Sequence, residues 1–564
     1  MGLVSRPKIK ENGNEGTSVA TASTSTADDR LQKLKTLTRH ELAERIAEGE
    51  TLVLHRRRIY KLDRWLANHP GGELAILHFV GRDATDEIEA YHCDQTLKRM
   101  RGFCIAMLDE SDWEGKDGEG YKPLVPPVQL GYRSGKLDHP DAQWTAWKAS
   151  EAMQPNLDGI ESRNVPSTRP QGFPLPLQLL EPPADPPGIN PARERAISED
   201  YRKMHDQVKA AGLYDLRPAG YMRECSRYVT LALLAAFTWS KSYYLLSSFF
   251  LGLFWHQLTF TAHDAGHSGI THSHFWDRLI GSVIADYIGG LSIGWWCDNH
   301  DVHHLVTNHP EHDPDIQHMP FFAISPKFLV QISPSGSKEE GQFGLWSSYY
   351  RRVLAYDLPS RIFLTVQHKI YYVVMSLGRF NLYANSYGFL ALKARRDKWF
   401  WIETTGLVFF WYWFAYLYLG AMPAWSTRIA ALLISHIVTS PLHVQIVLSH
   451  FAQSSEDLGL RECFASRQIR TTMDVLCPTY LDFLHGGLHM QVSHHLFPRI
   501  PRHNLRKVRD EFVRPFAKKW DLSYEEYTFQ QGNGKVLKTL EHVANQVKIL
   551  SMVAGAQARG EIHR

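Results

Sequence analysis

Histidines are the residues of this 564-residue chain whose type and spacing can do chemistry. Of 29, eleven fall within residues 256–318 and seven within 436–495. An even scatter would put about three in each window, so clustering this dense points to metal binding rather than core packing. His263-Asp-Ala-Gly-His267 places two imidazoles i, i+4 on one helix face, where they can hold one metal. In His300-Asp-Val-His303-His304 the i, i+3 and i+4 positions converge again, and Gln491-Val-Ser-His494-His495 makes a third cluster. His450 stands just past an apolar run. Imidazole suits iron, zinc or copper, so ligand type alone leaves the metal open. Eight histidines exceed the three protein ligands of a usual catalytic zinc, and two irons fit the count. The paired Glu-x-x-His signature of carboxylate di-iron bundles is absent.

A separate pair sits near the start. Trp65-Leu-Ala-Asn-His69-Pro70-Gly71-Gly72 precedes Gly81-Arg-Asp-Ala-Thr-Asp-Glu-Ile-Glu-Ala-Tyr-His92. Two neutral imidazoles on opposite faces can fill both axial positions of a haem iron, which closes it to oxygen and favours electron transfer. Pro70, Gly71 and Gly72 permit the tight turn that projects one ligand into a crevice. Over residues 36–112 the pattern resembles cytochrome b5, and that resemblance implies His69 and His92 as the ligands of a haem b.

The remaining sequence must position these groups. A chain of this length suggests two or three domains. Its net charge of +3 gives no indication of a nucleic-acid partner. Six scattered cysteines, without a CxxC pair, read as reduced thiols. Residues 1–33 are polar, without the apolar stretch of a signal peptide, and read as a disordered cytosolic tail. Residues 34–112 form a small soluble domain, and 113–195 a Pro-rich linker with little capacity to bury a core. Residues 196–545 make up a helical membrane domain, and 546–564 a tail. A membrane span needs about 20 apolar residues. Residues 228–262 carry one charge, Lys241, and divide at Ser240-Lys241-Ser242 into two spans. Residues 399–421 and 429–449 supply two more. Lys369 and Arg379 interrupt 361–390, which reads as an amphipathic helix lying in the interface. Basic residues gather on one side, with only Lys241 and Arg428 in the loops opposite, so both termini are expected in the cytosol. Four spans bring every histidine cluster to that same membrane face.

The series HxxxH, HxxHH and QxxHH resembles the membrane fatty-acid desaturase superfamily over about residues 200–525. Gln491 in place of a first histidine, together with the N-terminal cytochrome b5 pattern, is similar to the front-end desaturases. The resemblance implies di-iron ligation by His263, His267, His300, His303, His304, His450, His494 and His495. Gln491 is the weaker candidate, through its amide oxygen or a water. Asn299, Asp301 and Asp313 read as partners that orient ring nitrogens, and Asp264 as a capping or supporting carboxylate. His436 and His443 share a helix face with His450 and read equally as functional or as bundle hydrogen-bonding groups. The fold expected is an α+β cytochrome b5-like domain joined to an all-α membrane domain with four transmembrane helices and a cytosolic histidine-box cap. The function expected is oxygen-dependent desaturation of a membrane lipid. HDVHHLVTNHPEHDPDIQ and HHLFPRIPRHNLRKV resemble the fungal sphingolipid branch, which implies Δ8 desaturation of the long-chain base of ceramide or glucosylceramide. Electrons would come from NADH-cytochrome b5 reductase, with O2 as oxidant, at the endoplasmic reticulum. An acyl-lipid Δ6 desaturase, a lipid hydroxylase and a non-catalytic membrane-tethered haem carrier are the alternatives.

Overall fold

The computed structural model describes residues 34–130, 177–332 and 342–558. The expected N-terminal tail and most of the expected linker lie outside these residues. Strands β1 (Lys35–Leu37), β2 (Leu52–His55), β3 (Arg58–Lys61) and β4 (Cys104–Leu108) form a sheet of order β1-β4-β3-β2. The β1–β4 pair is parallel and the others antiparallel. Helix α1 (Arg39–Ala47) starts at a capping box, in which Thr38 accepts from the Glu41 backbone and Glu41 accepts in return. The β2–β3 hairpin turns on Arg56 and Arg57, both at positive φ, as a two-residue type I′ turn requires. Arginine is a poor residue for that turn, but here each is anchored: Arg56 forks onto Glu89, and Arg57 donates to the Leu108 carbonyl at 2.9 Å. Short helices α2 (Leu74–Leu77), α3 (Thr85–Tyr91) and α4 (Asp94–Met100) enclose the remaining side. Leu124, Val125, Leu130 and Leu180, at the two ends of the expected linker, are buried in the same core as Leu42, Ile46 and Leu54.

The second unit is helical. Helix α5 (Pro191–Ala210) leads to an antiparallel hairpin of α6 (Pro218–Ser240) and α7 (Tyr244–Gly266). The hairpin turns at Lys241–Tyr243, with Ser242 at φ 64°, where the sequence placed it. Then follow α8 (His274–Ser282), α9 (Ile293–Leu305), α10 (Leu358–Ser376), α11 (Gly378–Leu392) and α12 (Lys398–Trp411), the last continuing through widened turns to Leu419. Helices α13 (Trp425–Ile437) and α14 (Ser440–Phe451) run nearly end to end, followed by α15 (Phe464–Thr471), α16 (Gln491–Leu496) and α17 (Phe529–Ala558). Residues 361–390, expected as one interfacial helix, are divided between α10 and α11 at Leu377. Arg379 does not reach water there. It is buried, donates to the Gly289 carbonyl and lies over the Trp255 ring. Helix α17 runs on into residues expected to be a tail.

Among the described residues, Trp425–Phe451 is long and apolar enough to cross a membrane, by length and composition. His274–Ile288 with Ile293–Leu305 would count as a second crossing only as a pair bent by 118°. Helices α7 and α13 meet closely at Gly252, where an added Cβ would lie 2.7 Å from both the Ser435 carbonyl and Val438. Small residues at such crossings let backbones approach. Gly252→Val should therefore destabilise the bundle by about 1–3 kcal/mol. The measurement is the midpoint of thermal inactivation of purified protein, and an unchanged midpoint would show that the crossing is looser than described.

Candidate metal centre and haem pocket

Four elements deliver the imidazoles. His263 and His267 end α7, and His300, His303 and His304 lie on one face of α9. His450 closes α14, and His494 and His495 sit on the short helix α16. All eight are buried. They sort into two interlaced groups rather than following the sequence motifs. His263, His267, His300 and His494 each offer a ring nitrogen within 4.8 Å of the others, and His303, His450 and His495 do the same. His304 lies between the groups, with its Nε2 3.1 Å from that of His300 and its ring stacked 4.0 Å from His495. Gln491 opens α16, only 2% exposed, and its amide oxygen has no partner among the described residues.

The donor set fits metal. Both nitrogens of His267 and of His450, Nδ1 of His263 and His304, and Nε2 of His494 and His495 are buried without hydrogen-bond partners among the described residues. Each such orphan costs about 1–3 kcal/mol, so a core assembled for packing alone would not collect them. Where the ring nitrogens do have partners, those partners aim them. His303 Nδ1 donates to Asp313 at 2.8 Å, His300 Nδ1 to Asp315 at 3.1 Å, and His495 Nδ1 to Gln468 at 2.9 Å. These bonds fix the tautomer, leaving Nε2 of each ring able to bind a metal. Although burial opposes its charge, His303 and His300 hold the Asp315 carboxyl well below the usual carboxylate range.

Sequence reading anticipated Asp313 but not Asp315, Gln468 or Trp296. Trp296 covers the group, its ring 4.4 Å from His300 and 5.2 Å from both His263 and His267. Gly266 makes room for it, since a Cβ there would collide with the indole. Asp315 follows Asp313 in the same HDPD phrase, which is the one signal that was available. Asn299 acts on the site at one remove, by donating to Asp315. Among the described residues Asp301 pairs with no ring nitrogen; it faces Gly71 in the other domain. Asp264 pairs with Arg502 and accepts from Tyr221 at 2.6 Å, which makes it a charge partner. His436 is held by the Leu432 carbonyl and the Tyr383 hydroxyl, and His443 by the Met375 carbonyl, so both are bundle groups.

In the first domain the His69 and His92 rings face each other with centroids 6.1 Å apart. His69 Nδ1 donates to the Gly72 carbonyl and His92 Nδ1 to the Ile88 carbonyl, each at 2.9 Å. Both Nε2 atoms are thereby left for a metal between the rings, which fits a bis-imidazole haem. Burial lowers both pKa values, that of His92 to about 4, so the rings are neutral at pH 7 as ligation requires.

The two sites share a wall. One face of α9 carries His300, His303 and His304, and the opposite face carries Asp298, Asp301, Val302 and Leu305. Val302 and Val306 enter the core of the first domain, and Leu305 packs with Val53, Tyr60 and Phe79. Tyr349 and Lys393 fix Asp298 at 2.9 and 2.6 Å, and Arg395 reaches across to Asn68.

Comparison with known proteins agrees with this geometry. Residues 240–528 match the fatty acid desaturase family, and residues 38–109 match the cytochrome b5-like haem/steroid binding domain. A Delta 8-(E)-sphingolipid desaturase of Emericella nidulans is 41% identical over 91% of this chain and 95% of its own. One from Komagataella phaffii is also 41% identical, over 91% and 94%. A Delta(8)-fatty-acid desaturase of Helianthus annuus is 28% identical over 88% of both. The chain belongs to the fatty acid desaturase family and carries a cytochrome b5-like domain, which indicates haem, as the family implies iron.

Asp313 accepts from both His303 Nδ1 and the Asn308 backbone. Asp313→Ala should weaken metal retention roughly 10–100-fold. Iron per protein after dialysis against a chelator checks this, and full retention would remove Asp313 from the site.

Proposed function

We propose that this protein is an oxygen-dependent front-end desaturase that places a Δ8 double bond in the long-chain base of a sphingolipid, with ceramide or glucosylceramide as substrate. The observation that carries the reading is the packing of two interlaced imidazole groups against a haem-type pocket of the same chain. The likeness to the named Δ8 desaturases supports the substrate class. His263, His267, His300 and His494 would hold one iron, and His303, His450 and His495 the other, with His304 between them and Gln491 beside them. His69 and His92 would hold haem b. Iron held by the eight-histidine cluster, and not the haem, would supply with O2 the oxidising power to take two hydrogens from unactivated methylenes, which zinc cannot do.

The chain's own residues set the conditions. Asp313, Asp315 and Gln468 keep His303, His300 and His495 in one tautomer, and Trp296 with the surrounding apolar residues excludes water. NADH-cytochrome b5 reductase is the proposed electron source. We place α6, α7, α12 and the α13–α14 pair across the membrane of the endoplasmic reticulum, with both termini cytosolic. Leu233, Phe237, Trp401, Val408, Tyr416 and Trp425 support this placement, since all are large, apolar or aromatic, and at least 60% exposed. On this reading the domains follow the sequence expectation, with the haem domain 34–112, a linker 113–195, the membrane domain 196–545 and terminal tails 1–33 and 546–564, except that both ends of the linker pack into the haem-domain core and the last helix extends to Ala558.

Expression in a host without Δ8-unsaturated bases, followed by mass spectrometry of the long-chain bases, should show a product lacking two hydrogens. Gain of an oxygen would indicate a hydroxylase, an unsaturated acyl chain a Δ6-type desaturase, and no product an inert carrier. His69→Ala should abolish product formation even with free cytochrome b5 supplied; retained activity would make the fused haem dispensable. If Gln491→Ala leaves activity and iron content untouched, Gln491 is no ligand.

A further inference from the structure

The haem-side and metal-side histidines are joined by one side chain. Tyr91 precedes His92 at the end of α3, and its ring meets that of His304 edge-on, with centroids 6.2 Å apart. Its body is wedged between the modules: it packs on the haem-domain cluster that includes Leu305, and on the membrane-domain cluster built around Tyr201, Val492 and Leu496. Its hydroxyl oxygen is buried and has no partner among the described residues. The contacts that hold the residue in place are those of its ring.

We infer that the Tyr91 ring is the electron bridge between the two centres, a positioning residue for the reaction that touches a ligand of each. The path leaves His92, crosses one peptide unit to Tyr91, and makes a single through-space step onto His304. The rival path starts at His69, where Gly71 meets Asp301 across the interface. From Asp301 it too needs one peptide unit to reach an imidazole, His300, but it crosses through a carboxylate side chain and not through an aromatic ring. One electron leaves the haem and one arrives at the metal cluster. No bond forms or breaks, and the phenol is neither oxidised nor deprotonated. Because conduction uses the ring alone, phenylalanine should serve as well as tyrosine.

The inference rests on His92 and His304 being ligands, as proposed above. Full-length enzyme loaded with haem and iron is reduced with NADH and the reductase. It is then mixed with oxygenated buffer and ceramide in detergent, and haem reoxidation is followed by absorbance. Tyr91→Leu should slow reoxidation severalfold or more, at native haem content, native iron content and native rate of haem reduction. Tyr91→Phe should restore the native rate. A native rate in Tyr91→Leu, or a slowed rate in Tyr91→Phe, would overturn the bridge while leaving the ligand assignment intact. If leucine costs haem or iron, Tyr91→Met poses the same question with a longer, non-aromatic chain. A wild-type enzyme with no haem band, or no substrate-linked reoxidation, would overturn both.

Discussion

A single helix, Ile293–Leu305, serves two domains at once, and the rest of the structure depends on its doing so. Helical periodicity separates residues 300, 303 and 304 from residues 298, 301, 302 and 305 onto different faces. One face supplies imidazoles to both histidine groups. The other is core material for the haem domain, where Val302 and Leu305 are among the buried apolar residues. Burying an aliphatic side chain of this size stabilises by about 1.5–3 kcal/mol. The contact that holds the domains together is thus fixed to the element that aligns the clustered imidazoles, and neither can shift without the other.

Around that helix the ligands arrive from far apart in the chain, and local order must be supplied by what surrounds each one. Asp313 and Asp315 come from the loop just past the helix and aim two of its rings. Gln468 ties α15 to the site from the other side: it accepts from His495 and donates to the His304 carbonyl at 2.7 Å. Gly266 is small so that Trp296 can lie over the ligands of α7. The carboxylates and Gln468 fix the direction of His300, His303 and His495, and Trp296 packs against His263 and His267.

The histidine clusters were legible in the sequence because i, i+3 and i+4 spacings survive folding, and the α6–α7 hairpin because one lysine marks the turn. What could not be read were relations between distant elements. The i, i+4 pair His263 and His267 reads as able to hold one metal, whereas the fold draws the imidazoles of each group from three elements. Asp301 lies inside a histidine motif and so reads as a ligand partner, yet helical geometry turns it toward the haem domain. Arg379 reads as an interfacial charge, but a backbone carbonyl and an indole face compensate it inside the bundle. Val302 and Leu305 have the spacing of any helix core, and nothing in that spacing says the core belongs to another domain.

The Leu305 contact has a further consequence for how such proteins can be recombined. Carrier and oxidase are joined not like beads on a string but through a common hydrophobic interior. A chimera that imported the N-terminal module from a relative would import half of a packed seam without its complement. Viable exchange would require residues 298–306 to travel with the module. A change on one side of the seam therefore calls for a matching change on the other.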